Sequence, residues 1–383
     1  DQAAVGYIRS IPKTPTGTVG QASLQLGFPP DNFNPVSAGG VPPFGQDFNG
    51  LHHQETSWNR WTSAGAPNYW NSGFSTDIGG YPAGAIVSAL GKLGSFWLCL
   101  ADDNTSNPDT GGADWLGFGV FTRQPLLADT TYYVATTGND ANDGLTPGTP
   151  WATLQKAWNY IQNSVNLNGF SATVSVADGT YTAGLLASGA VTGAGTQGNA
   201  VIFQGNNGSP SSCLISVTNG NCIAGVNNAA FSVKGFKLAA TGTGANGTGI
   251  QSSSGSFINF SSIDFGSCGN THMLAQNSSS IIATGGYTIS GGASYHAYSQ
   301  INSYIQIVGA FIVSITGTPA FASAFARASL LGIVSSSLVT YSGSATGSRY
   351  MADGNGVVNT NGSGATFLPG NSVGTTPTGG QYI

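Results

Sequence analysis

Asp178, Asp264 and Asp353 are the only carboxylates between residues 159 and 383. Hydrolysis of a glycosidic bond takes two carboxyls, about 5–5.5 Å apart for retention or about 6.5–9.5 Å for inversion. These three are therefore the candidate catalytic residues if the chain cleaves a glycan. Elimination on an acidic polysaccharide would instead need a base and a cation. His296, Arg327 and Arg349 supply those types. A second chemistry is non-covalent. The segment GGYTISGGASYHAYSQINSY (285–304) sets Tyr287, Tyr295, His296, Tyr298 and Tyr304 among Ser, Thr, Asn and Gln, and Tyr341 and Tyr350 follow. Aromatic faces against C–H surfaces, with neutral side chains donating and accepting around them, are what sugar recognition requires. Trp97 and Trp115 form a second candidate platform.

Other chemistries find no support. The single GxSxG, Gly370-Asn371-Ser372-Val373-Gly374, has no strand-to-helix signal around it, and the adjacent pair His52 and His53 lies far from it in sequence. Cys99, Cys213, Cys222 and Cys268 have no CxxC spacing, so a zinc site is not indicated. They read as small buried hydrophobes, and a Cys213–Cys222 bridge is compatible with the spacing but not required by it. Acids do not cluster as a calcium site demands. The run Asn-Asp-Ala-Asn-Asp-Gly (139–144) has the flavour of a cation loop but reads as turn residues ahead of a helix. We expect no metal and no cofactor. Charged residues are 7% of the chain, with 10 Lys and Arg against 15 acids. Scattered single bases exclude nucleic-acid binding as a main function. No apolar run is long enough for a membrane span, and DQAAVGYIRS lacks the regions of a signal peptide.

The elements that must position these residues divide the chain. All seven Trp lie at or before Trp158. Residues 1–46 are Pro- and Gly-rich and read as extended chain with turns. Residues 47–63 predict a short helix weakened by Gly50. Apolar runs at 84–90 and 95–101 around Gly-Lys-Leu-Gly predict a β-hairpin, and 119–131 a linker. Tyr132–Val134 predict a strand. Thr149 and Pro150 make an N-cap and first-position pair for a helix over 150–162, with Trp151, Leu154, Trp158 and Ile161 on one face.

Beyond that helix, short strands recur. Aligned on Val176, Phe203, Val233, Phe260, Thr284, Ile307, Ile333 and Val358, they repeat about every 25 residues. FSVKGFKL puts Phe231, Val233, Phe236 and Leu238 inward, and INFSSIDF puts Ile258, Phe260, Ile263 and Phe265 in the same slots. YIQIVGAFI would supply Ile305, Ile307, Ala310 and Ile312, and LLGIVSSSL would supply Leu331, Ile333, Ser336 and Leu338. Two alternating residues, a step, then two more trace two strands around a corner. No helix lies between strands, and a propeller blade needs more residues, so a parallel β-helix fits better than a β-sandwich. Asp178 and Asp264 then sit three coils apart, about 14 Å at the strand spacing. That is too far to pair within one copy. Phe311, Phe321 and Phe325 fall at outward positions in this alignment, which predicts burial between copies.

The chain also resembles a known family. YYVATTGNDANDGLTPGTPWATLQKAWNYI resembles the opening segment of right-handed parallel β-helix proteins of the pectate-lyase-like superfamily. GFPPDNFNPVSAGGVPPFGQDFNGLHHQETSWNRW and IGGYPAGAIV resemble the N-terminal regions of tailed-phage tail fibres and tailspikes, and YSGSATGSRYMADGNGVVNTNGSGATFLPGN their C-terminal segments. GSFWLCLADDNTSNPDTGGADW faintly resembles small chitin-binding modules, which would make Trp97 and Trp115 exposed. The resemblance implies a homotrimer in the virion tail, assembled in the host cytoplasm, and its N-terminal region would join phage tail or baseplate proteins. The expected fold class is all-β: a right-handed parallel β-helix over 131–383 with an N-terminal capping helix, preceded by a small mixed α+β attachment region over 1–130. The expected function is attachment to a host bacterial surface polysaccharide. A depolymerase (hydrolase or lyase) and a purely structural tail component are the alternatives.

Overall fold

A computed structural model describes residues 6–91, 94–118, 123–242 and 246–383. The chain divides into two units, 1–121 and 122–383. In the first, helix α1 (Gly45–Ser63) runs longer than its Gly50 suggested. That glycine is there for space: a Cβ would meet the Arg9 carbonyl oxygen. Buried Asp47 pairs with Arg9 and accepts from the Ala22 amide at 2.8 Å, tying the extended leader to the helix. Helix α2 (Ser72–Ile78) starts at an Asn71 cap. The expected hairpin is present: Ile86–Ser88 and Phe96–Cys99 pair antiparallel, and Trp115–Phe118 adds a third strand. Lys92 and Leu93 of its turn, and residues 119–122 of the expected linker, lie outside the described residues.

The second unit is a parallel β-solenoid of about eight coils. Its strands stack into sheets of ten, seven and seven, met in that order around each coil. The first sheet runs from Thr130–Val134 to Gln381–Tyr382, the second from Gly179–Tyr181 to Thr340–Ser342, and the third from Leu185–Ser188 to Tyr350–Ala352. In these three sheets each strand pairs in parallel with its counterpart one coil on, with register shifts between Leu238 and Ala240 and between Ala293 and Tyr295. The inward column Ala172, Val201, Phe231, Ile258, Ile281, Ile305, Val334 and Val358 is fully enclosed. Stacking identical slots removes apolar surface from water coil by coil, at about 25 cal/mol per Å².

The register corrects the alignment read from sequence. The partner of Phe203 is Val174, not Val176; that of Phe260 is Ala283, not Thr284; that of Ile307 is Ser336, not Ile333. Coils differ in length at their corners, so a fixed period slips. The FSVKGFKL and INFSSIDF slots are as expected, all buried. In the sixth coil three more residues fill the corner than in the Phe260–Phe265 coil, so Val313 and Ile315 point inward and Ile312 is exposed. In the seventh, Val334, Ser336 and Val339 are buried while Leu331, Ile333 and Leu338 face out. Phe321 and Phe325, expected outside, are enclosed in the core; their apolar excess is coil interior.

Helix α3 (Leu154–Ser164) begins later than its sequence signal. Thr153 is the N-cap, its hydroxyl accepting from the Lys156 amide at 3.1 Å, and Thr149 and Pro150 belong to the preceding turn. Trp151 has left the helix and bridges Val134. Leu154, Trp158 and Ile161 are buried in the solenoid core, with Trp158 5.4 Å from the Phe231 ring.

Candidate functional site

The third sheet carries the densest outward group. Its strands Thr271–Gln276, Ala293–Gln300, Phe321–Ser329 and Tyr350–Ala352 bring Leu274, Tyr298, Arg327 and Met351 into one column and Gln276, Gln300 and Ser329 into the next. Alternation puts Met273, Ala297 and Ala326 inside, so these side chains face out. The Arg327 guanidinium lies 4.7 Å over the Tyr298 ring and 5.6 Å over Tyr295. It donates from Nε to Asp353 at 3.1 Å and from Nη1 to the Tyr295 hydroxyl at 3.0 Å, and Nη2 is 3.0 Å from the same Asp353 oxygen. Burial works against its charge, but Tyr298, Tyr295 and Asp353 outweigh burial and strengthen its hold on the proton. Tyr298 donates to Gln300 at 2.8 Å, and Gln300 donates to Gln276 at 2.9 Å. The result is a fixed, half-buried surface with two tyrosine faces, two amides and a neutralised ion pair. It can stack on and hydrogen-bond a neutral polyol.

The other expected residues scatter. Tyr287 and His296 lie inside the coil, bonded to each other at 2.8 Å, and His296 meets His272 Nδ1-to-Nδ1 at 3.0 Å. Burial lowers both imidazole pKa values, that of His272 to about 3, and His272 depresses His296 further. Tyr341 packs its ring edge-on to Phe325 with its hydroxyl 2.8 Å from Ser336. Tyr350 is buried and stacked at 3.8 Å on Tyr382. Tyr304 is half-buried on the outer face of the first sheet, away from Tyr295 and Tyr298. So of the seven only Tyr295 and Tyr298 come together on the outer surface, joined by Arg327.

The carboxylates do not meet. Asp178 accepts from Asn206 at 3.1 Å ahead of the first second-sheet strand. Asp264, on the second sheet three coils along, pairs with Lys237 at 2.9 Å. Asp353 follows the third sheet. Asp140 accepts from the Ala152 and Thr153 amides, and Asp143 from Leu145 and Thr149, as helix-entry turns do. Arg349 donates to the Ser372 carbonyl. The four cysteines are free and buried, Cys213 and Cys222 included. Burial raises the Cys213 thiol to about 12, with Asp178 adding to the shift.

In the first unit Trp97 and Trp115 are structural. Their indoles donate to Asp109 and to the Ser106 carbonyl, and both pack around Tyr81, Val87 and Cys99. The exposed rings are others: Trp58, Trp61, Tyr69 and Phe74 line a groove of about 1320 Å³. The heptad spacing of Leu51, Trp58 and of Gln54, Trp61 on α1 was the available signal. For Arg327 the signal was a lone charge at an outward alternate position of FASAFARAS. No family model, curated protein or solved structure matches this chain.

Proposed function

We propose that the chain is a homotrimeric tail fibre or tailspike of a tailed phage that attaches the virion to a host bacterial surface polysaccharide. In this reading the β-helix is right-handed, α3 caps its N-terminal end, and residues 1–130 join it to tail or baseplate proteins. Assembly in the host cytoplasm fits four free thiols. The single observation that supports glycan attachment best is the Tyr295–Tyr298–Arg327 surface with its amide neighbours. Because Asp353 neutralises Arg327, the glycan it suits is neutral. The carboxylate spacing supports adhesion over cleavage. The test incubates the purified protein with host surface polysaccharide, then measures retention and glycan size. Retention with unchanged size supports the reading. Shortened glycan would establish a depolymerase, and neither binding nor cleavage a purely structural component.

A further inference from the structure

Corners that turn tightly need left-handed backbone, which small polar residues tolerate and bulky ones resist. Among the described residues, the non-glycine positions with left-handed φ are Asn, Asp, Ser or Thr, with four exceptions. These are Ile301 (φ 52°), Leu330 (50°), Leu331 (63°) and Leu338 (61°). Their places in the fold are specific. The corner from the third sheet to the first is a stack of paired left-handed residues. It runs Asn227–Asn228, Ser254–Gly255, Asn277–Ser278, Ile301–Asn302, Leu330–Leu331, Gly354–Asn355 and Thr378–Gly379. An amide of each corner donates to a carbonyl of the next, as Asn302 does to Leu330 at 3.1 Å and Leu331 to Gly354 at 3.2 Å. Leu338 holds the opposite corner, where sister coils have Gly235 and Ser262.

All four side chains are exposed, by 43, 55, 60 and 74% in chain order. They rim one stretch of the first sheet. Between the rims lie Ile333, itself 39% exposed, and the outward serines Ser335 and Ser337. The adjoining strands add Tyr304, Gln306 and Val308 on one side and Val357 and Asn359 on the other. None of these carries charge, and Lys234 is the one charged side chain on the outer face of this sheet among the described residues. Strain and apolar exposure coincide at positions where neighbouring coils avoid both.

We infer that this face, the first sheet of the sixth and seventh coils between its leucine rims, is where copies of the chain pack on one another. Identical surfaces meeting in a symmetric assembly bring like charges together. A face without charge escapes that repulsion, and burying the rims offsets the backbone strain. The inference rests on the proposed self-association and is independent of glycan binding.

The test uses the full chain carrying Ser335→Cys and a short bis-maleimide, with Gln251→Cys on the third sheet as control. Light scattering gives the mass of each protein. We expect an oligomer in which Cys at 335 cross-links copies and Cys at 251 does not. Leu330→Asn, Leu331→Gly and Leu338→Gly, which install the residue types of sister corners, should lower that cross-linking at least about tenfold, with folding retained by circular dichroism. Ser337→Arg, added to the Ser335→Cys chain, should loosen it without touching the corners. A single-copy wild type would overturn both self-association and the inference. An oligomer that fails to cross-link at 335, or whose cross-linking ignores the rim and Ser337→Arg substitutions, would overturn the inference alone.

Discussion

Arg327 organises the outward face of the third sheet because its flat guanidinium can stack on two rings while donating in its own plane. Tyr298→Ala should therefore lower glycan affinity about tenfold, or about 1.4 kcal/mol, with little change in melting temperature. Titration calorimetry against the polysaccharide checks this. Asp353→Asn should leave Arg327 with an uncompensated charge and shift preference toward acidic glycans, read in the same assay. Inside the coil, His272 and His296 are neutral and fully enclosed. Their folded pKa values are depressed, so below about 6.5 the unfolded chain binds protons that the folded chain refuses. Their contribution is whole above that pH and declines as pH falls toward 3, by about 1.4 kcal/mol per pH unit for each imidazole. Urea midpoints at pH 7 and pH 5 should show the loss, and a His272→Phe, His296→Phe variant should show a flatter slope. An unchanged midpoint would contradict the buried-pair geometry. Tyrosines were legible in the sequence as a group, but not which way each pointed. Tyr287 and His296 read as surface because sugar-binding and core-bonding tyrosines share a composition.

The strands and α3 were legible because alternation and a single apolar face survive any corner. Register was not, since corner lengths vary and one inserted residue reverses inside and outside. That is why Ile312 and Leu338 were expected in the core and Phe321 and Phe325 outside it. The same reasoning predicts unequal mutational costs. Phe260 touches Phe265 and Tyr287 edge-on at 5.7 and 5.3 Å. Phe260→Ala should cost about 3–5 kcal/mol, whereas Ile312→Ala, more than half exposed, should stay within about 0.5 kcal/mol. Chemical denaturation of both variants separates these outcomes. At the head of α3, Thr153→Ala should cost about 1 kcal/mol by removing the cap. Thr149→Ala should spare the helix and loosen only the Asp143 turn.

At the scale of the molecule, each coil of the second unit bonds to the coils before and after it, and stability is close to a sum over neighbours. Parallel pairing across a whole coil closes long loops before any contact forms, so refolding from urea should take seconds or longer by far-UV circular dichroism. The inter-coil hydrogen bonds all run along the stacking direction. Tension along that direction therefore loads the coils in series, every interface carrying the full force and the weakest deciding when the stack parts. The closing strand Gln381–Tyr382 pairs at only two positions. A pull through the C-terminus would peel the solenoid from that end, one coil at a time, like a spring unwinding from its last turn.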